Sequence, residues 1–556
     1  MDMKRYQSDI KLFANTKIYI VCLLVVALLA YGFAAVNGTV GIDDLESDRY
    51  AGSGNALYAA GRFATVWWAT LLGYRGNLVA NSFVVDIVAV LFLCYCAVNF
   101  CILFRRIMGD KLKMAACTVF SCMLVSYPLM NEIWEYTGAN LNVCGGFLLV
   151  SFALLLIHGW LHGGAWRKPA KLIIASLLMM LVCAGYESLA AVYVFFVFAL
   201  LALQAIYGSE QEKTLREILR QGMIYAAVLV MGLLLRAVVH RIILITMQLE
   251  AETNGATKIL WGTEPAGQIV KNLILDWVRD YLFKGIIYFP LTELAVAGVV
   301  FFMIGIVSCR KYGWKLLLPG LGMLLSLVLL SIVQGKVSPY RTCQVFAAFV
   351  AFTAMLVVNW LCGRIGKHAN KARVIALLLC GYLCFHQAVY MNYFLSLNHI
   401  RSEEEAYVIR EIGTELEANY PAGKPVIFVG RYELCPNTQE AASISENDFR
   451  WSLYKTVYQA SYALMGQDYD VTQLSRKLPQ TNVNSVIEWG WYSYGQEAMQ
   501  NLFAYYGCDY VLADYDSVYD EACQYAAENK LPSYPQKGYI ADVGEYLIVC
   551  VGTLEE

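Results

Sequence analysis

"IYIVCLLVVALLAYGFAAV" occupies residues 18–36, and "GIDDLESDRY" follows at 41–50. The first run is apolar on every face and close to the roughly 20 residues that carry a helix across a bilayer. The second sets four acids and an arginine close to the point where the chain leaves that run. Such a stretch is either a solvated loop or a carboxylate site held at the membrane surface. The rest of the chain bears on the choice.

The chain has 556 residues, of which 58% are hydrophobic and 15% charged. Its mean hydropathy is +0.50. Soluble domains carry more charge, so the bulk of this chain reads as dissolved in lipid. A net charge of −2 gives no footing for nucleic acid. Thirteen of the 17 cysteines lie in or beside apolar segments, as in "LCYCAVNFC" (93–101), where thiols act as small apolar fillers. The other four, Cys435, Cys508, Cys523 and Cys550, fall in the polar C-terminal part, where disulfides are open but unassigned. The N-terminus "MDMKRYQSDIKLFANTK" is basic and polar ahead of a full-length apolar run. That run reads as a retained membrane helix rather than a cleaved signal.

Eleven segments satisfy the length and hydropathy of a spanning helix: 17–36, 83–104, 114–130, 143–161, 172–186, 188–207, 222–247, 288–309, 316–333, 345–362 and 374–394. Only "YES" (186–188) separates the fifth from the sixth, which predicts a tight helical hairpin. With the N-terminus cytoplasmic, the inner segments carry 21 Lys and Arg and the outer loops nine. That bias predicts a cytoplasmic N-terminus and puts residues 395–556 on the outer face. The expected organisation is a polytopic α-helical membrane domain at 1–394 and a small extracytoplasmic α/β domain at 395–556. In the latter, "PVIFVG" (425–430) and "DYVLAD" (509–514) read as strands. "GYIADVGEYLIVCVG" (538–552) reads as a hairpin, and 403–420 has helical period. Two long outer loops, 37–82 and 248–287, repeat aromatic and aliphatic residues at helical spacing, which predicts helices lying in the interface plane.

The polar residues gather toward that outer side. They include Asp43, Asp44, Glu46, Asp48, Arg49, Arg62, Glu132, Glu135, Glu187, Lys336 and Arg341 in loops, and Asp86, Arg236, His240 and Arg241 within helices. A charge inside the hydrocarbon is costly unless paired or facing water, so an outward-opening polar cavity is expected. Acids and arginines there suit transfer of a sugar from a polyprenyl phosphate. Phosphate leaves without a proton and needs only positive charge, which arginine supplies in bidentate form. The acceptor hydroxyl has to lose a proton, and one carboxylate near the membrane surface serves as that base.

The layout resembles the GT-C class of membrane glycosyltransferases. More narrowly, "IDDLESDRY" with "NALYAAGRFATVWWATLLG" (42–73), "GYESLAAVYVFF" (185–196), "VSPYRTCQVFAAFVAF" (337–352) and 403–430 resemble the GtrII-type bacterial glucosyltransferases. The resemblance implies transfer of glucose from undecaprenyl-phosphate glucose to a surface polysaccharide or lipid-linked glycan at the outer face of the bacterial plasma membrane. Carried onto this chain, it implies Asp44 or Asp43 as the catalytic base, with Arg62 and Arg341 on the donor phosphate. Arg236 joins them as a candidate, and Asp48, Glu135 and Glu187 line sugar or acceptor space. Glu187 stands where many relatives carry Gln, which puts a catalytic role for its side chain in doubt and leaves a hydrogen-bonding role open. Arg236 has a second reading, an ion pair with an acid such as Asp86 that holds two helices together. No compact His, Cys and Asp spacing marks a zinc site. No cofactor is expected, a divalent cation at the acid pair being the one alternative. A transporter or flippase of lipid-linked glycan, or a polysaccharide ligase or polymerase, are the rival functions.

Overall fold

The computed structural model describes residues 3–41, 54–71, 82–134, 136–163, 168–209, 213–252, 259–364, 367–421, 423–464, 469–479, 496–508 and 510–554. The apolar runs are helices. In chain order these are α1 (Met3–Asn15), α2 (Lys17–Val36), α3 (Asn55–Ala59), α4 (Phe63–Leu71), α5 (Ser82–Met108), α6 (Met114–Ser126), α7 (Asn131–Trp134) and α8 (Thr137–Leu161). There follow α9 (Ala170–Gly185), α10 (Leu189–Tyr207), α11 (Leu215–Met247), α12 (Ala266–Trp277), α13 (Phe289–Tyr312), α14 (Trp314–Leu327), α15 (Leu329–Gln334), α16 (Val345–Cys362) and α17 (Lys367–Asn419). A helix satisfies its own backbone groups, which is what a water-free bilayer demands.

Among the described residues, nine helical segments are long and apolar enough to cross a membrane, with α6 to α7 counted as one. The expected spans at 172–186 and 316–333 form the shorter α9 and α14. Three expected spans differ in detail. α6 stops at Ser126 because Pro128 drives Tyr127 into extended backbone (φ −64, ψ 122). The run 316–333 is split between α14 and α15 where Val328 leaves helical backbone (φ −112, ψ 7). The span at 374–394 does not end near 394: α17 continues for 53 residues, roughly 80 Å at 1.5 Å per residue. Between its apolar part and Gly413 lie helix formers such as Glu403, Glu404, Glu405 and Ala406, with nothing to break the helix.

α6, α8, α10 and α16 are largely buried, and α2, α11, α13 and α17 bury far less of themselves. Exposed Leu28, Val230, Val307 and Leu378 therefore form the face that meets lipid. Aromatic rings lock the middle. Phe100 stacks on Phe196 with centroids 3.7 Å apart, while Phe120 and Phe352 pack against Phe104. Polar pins cross the same core: Tyr19 meets Ser121 at 2.7 Å, and Gln387 joins Ser126 (2.6 Å) to Glu293 (2.8 Å). α11 approaches α9 closely at Gly232, where a Cβ would stand 2.8 Å from the Met179 side chain.

A second core lies beyond the bundle. β1 (Val426–Val429), β2 (Ile540–Asp542) and β3 (Leu547–Cys550) form a sheet in the order β1-β3-β2. β1 runs parallel to β3, and β2 pairs antiparallel with it as a hairpin. "DYVLAD" supplies a single bridge, Val426 to Leu512, rather than a strand. The far end of α17 packs on this sheet through Val408, Ile409 and Ile412. Cys435, Cys508, Cys523 and Cys550 are all free thiols. Helix α18 (Phe449–Leu464) packs Trp451, Tyr454 and Tyr458 against Phe283 and Ile287, and Arg279 donates to Tyr462 at 3.0 Å.

Candidate active site

The short turn between α3 and α4 sets the first part of the site. Arg62 N–H donates to Leu57 O at 2.7 Å, and Gly61 adopts a left-handed backbone (φ 72). That conformation brings the chain onto α11. A Cβ at Gly61 would stand 3.0 Å from Arg236 Nη2 and 3.1 Å from His240 Nδ1. Arg236 Nε reaches Gly61 O at 3.4 Å, and the His240 ring meets Ala59 O at 3.2 Å.

Arg236 pairs with Glu187, not with Asp86. Glu187 stands in the hairpin turn between α9 and α10, while Asp86 accepts a hydrogen bond from Asn140 on α8. α9 ends at Gly185, whose carbonyl accepts from Thr65 on α4 at 3.5 Å. Tyr186 then turns into extended backbone and lies under Arg62, with the guanidinium carbon 5.9 Å from the ring centre. Arg62 makes no ion pair among the described residues.

The third arginine approaches from the other side. Arg341 sits in the turn Tyr340–Thr342 that precedes α16, and its Nη1 lies 3.1 Å from Glu132 Oε1. Burial disfavours the Arg341 charge, yet Glu132, Tyr186 and Tyr136 together outweigh it and move its ionisation above the ordinary value. Tyr186 feels both groups of charges. Burial raises its phenol, while Arg341 and Arg62 pull it back. Tyr186 thus carries Arg62 on its ring, directly precedes Glu187 in the hairpin turn, and lies within the field of Arg341 and Glu132.

Of the residues expected at the site, Arg62, Glu187, Arg236 and Arg341 come together here. Asp43, Asp44, Asp48 and Glu135 lie outside the described residues. Tyr186, Glu132 as a partner of Arg341, and Gly61 as a contact of Arg236 were not singled out by sequence. The one available signal was an aromatic residue held in a three-residue turn between two apolar helices. Among the described residues, no cluster of three or more His, Cys, Asp or Glu could hold a metal ion.

An apolar helix bundle that carries arginines paired with acids in its turns defines a membrane-embedded protein with a polar site. The family model for the glucosyl transferase GtrII family matches residues 32–358, more than half of the chain, and this chain belongs to that family of glycosyltransferases. The matched region contains every arginine of the site. No curated protein and no solved structure gives a significant match.

Proposed function

We propose that the protein transfers a glucosyl group, with inversion, from a polyprenyl-phosphate donor to a glycan acceptor at the outer membrane face. The observation that carries this reading is the convergence of Arg62, Arg236 and Arg341 about Tyr186. Two of these cations are matched by Glu187 and Glu132, whereas Arg62 has no acid beside it among the described residues and is the one proposed to meet an incoming anion. A phosphate monoester suits such a cluster, and the donor's isoprenoid tail suits the surrounding lipid.

The reaction follows from these parts. The acceptor oxygen attacks the anomeric carbon from the face opposite the phosphate. Its proton passes to a carboxylate, Asp44 or its neighbour Asp43, acting as general base. The bond from the anomeric carbon to phosphate oxygen breaks, and the arginines hold the departing negative charge. No second, acidic carboxyl is needed, unlike glycoside hydrolysis. Glu187 holds Arg236 in position, and Asp48 and Glu135 line the acceptor side. The reading needs no metal. The excess of Lys and Arg in alternate loops supports a cytoplasmic N-terminus and an outer-facing C-terminal part.

The test is transfer by purified protein from undecaprenyl-phosphate bearing radiolabelled glucose to an envelope glycan fraction. Label entering the glycan, and lost in Asp44→Asn or Asp43→Asn, supports the reading. Absence of transfer from any polyprenyl-phosphate sugar would overturn it and favour movement of a lipid-linked glycan instead.

A further inference from the structure

A second polar feature, not used by the arginine site, lies at the C-terminal end of α2. Asn37, Thr39, Asp86 and Trp134 line a small cleft where α2 ends, α5 begins and α7 ends. Its free space is about that of one water molecule or one hydroxyl group, too little for a sugar ring. Two of its side chains are deeply buried: Asp86 is 6% exposed and Trp134 5%. Burying a polar group without a partner is costly, so unmet hydrogen-bonding capacity at such depth calls for explanation.

That capacity is present on both signs. Trp134 Nε1–H has no hydrogen-bond partner among the described residues. Its ring is fixed against Tyr31 with centroids 4.2 Å apart, and Tyr31 is itself held by donating to Val125 O at 2.8 Å. The indole therefore cannot turn away to find an acceptor. Asp86 accepts from Asn140 through Oδ1, and that is its one partner among the described residues. Thr39 accepts from Asn398 at 3.3 Å, and the Asn398 carbonyl oxygen is also buried without a partner among the described residues. A fixed donor and a carboxylate with a free oxygen thus line a space of hydroxyl size. One hydroxyl satisfies both, accepting from Trp134 and donating to Asp86.

The position suits a sugar. Trp134 shares the short helix α7 with Glu132, the partner of Arg341. Asn37 to Thr39 lead directly into the acidic stretch at 43–48. The cleft is thus linked through α7 to the partner of Arg341, and through the chain itself to the segment that carries the candidate base. We propose that it is a specificity subsite that takes one hydroxyl of the transferred hexose, recognised by Asp86 and Trp134. This rests on the glucosyl-transfer reading above.

The test reads binding apart from turnover. Detergent-purified full-length protein is titrated with a short-chain prenyl-phosphate glucose and with each of its monodeoxy analogues, followed by ligand-induced thermal shift. The wild type is expected to bind one monodeoxy analogue at least about ten-fold more weakly than the parent, as for a buried hydrogen bond to a charged group. In Asp86→Asn and in Trp134→Phe that preference should shrink toward none. Asn keeps a partner for Asn140, and Phe keeps the ring against Tyr31, so both variants are designed to fold. A preference that persists unchanged in both variants overturns the subsite, as does equal binding of every analogue by the wild type. Loss of the preference in the variants, with no transfer by the wild type, would uphold the subsite and count against the transfer reading. Failure to bind any glucosyl ligand overturns both.

Discussion

Arg236 and Glu187 lie 49 positions apart and form an ion pair that ties α11 to the turn between α9 and α10. The pair also touches the Gly61–Arg62 turn through the Gly61 carbonyl. It therefore fixes two arginines at once. Glu187→Gln keeps an oxygen for Arg236 and should retain kcat/KM within about ten-fold of wild type, whereas Glu187→Ala should lose considerably more. The Glu187 side chain is 41% exposed, so either change should cost no more than about 1 kcal/mol of stability. Equal and severe losses in both variants would point instead to a chemical role for the carboxylate.

Arg62 has no acid beside it among the described residues and rests on the Tyr186 ring. Arg62→Ala should lower kcat/KM for the donor about 100-fold with unchanged membrane expression, on the scale of losing one charge-stabilising donor. Arg62→Lys should recover only part of this, because an ammonium cannot present a planar fork to phosphate. Steady-state kinetics on the purified protein would check both. Wild-type kinetics in Arg62→Ala would remove Arg62 from the phosphate site.

Gly61 combines a left-handed backbone with contact against Arg236 and His240. Gly61→Ala should cost about 1–2 kcal/mol from the backbone alone. It should also push Arg236 off its present position and so reduce transfer more than stability. Thermal unfolding and transfer measured on the same preparation would separate the two effects. A variant as stable and active as wild type would show that the turn adapts at no cost.

The acidic stretch carries the base in the proposed reaction. Asp44→Asn should reduce turnover about 1,000-fold, within the range for removal of a general base, while leaving donor binding near wild type. Asp43→Asn should have the smaller effect. The reverse order would move the base by one position, and near-normal turnover in both would return "GIDDLESDRY" to a solvated loop.

Three arginines and a monophosphate leaving group give a divalent cation little to bridge. Transfer should therefore stay within about two-fold when EDTA replaces magnesium or manganese in the assay. A collapse that added metal restores would place an ion at the acidic stretch.

What the sequence determined by itself was which segments are apolar helices and where a strand and a hairpin lie near the C-terminus. These are local properties. A bilayer accepts any apolar run of sufficient length, and the period of a strand or hairpin is written in neighbouring residues. Tertiary structure alone decided that Arg236 meets Glu187 and not Asp86, that Arg341 meets Glu132 across 209 positions, and that Arg62 lies over the Tyr186 ring. It also joined the last apolar run and the helix at 403–420 into one α17. Such pairings depend on which helices become neighbours. That is set by close approaches such as Gly232 on Met179 and by the stacked rings of Phe100 and Phe196, contacts that no local pattern encodes.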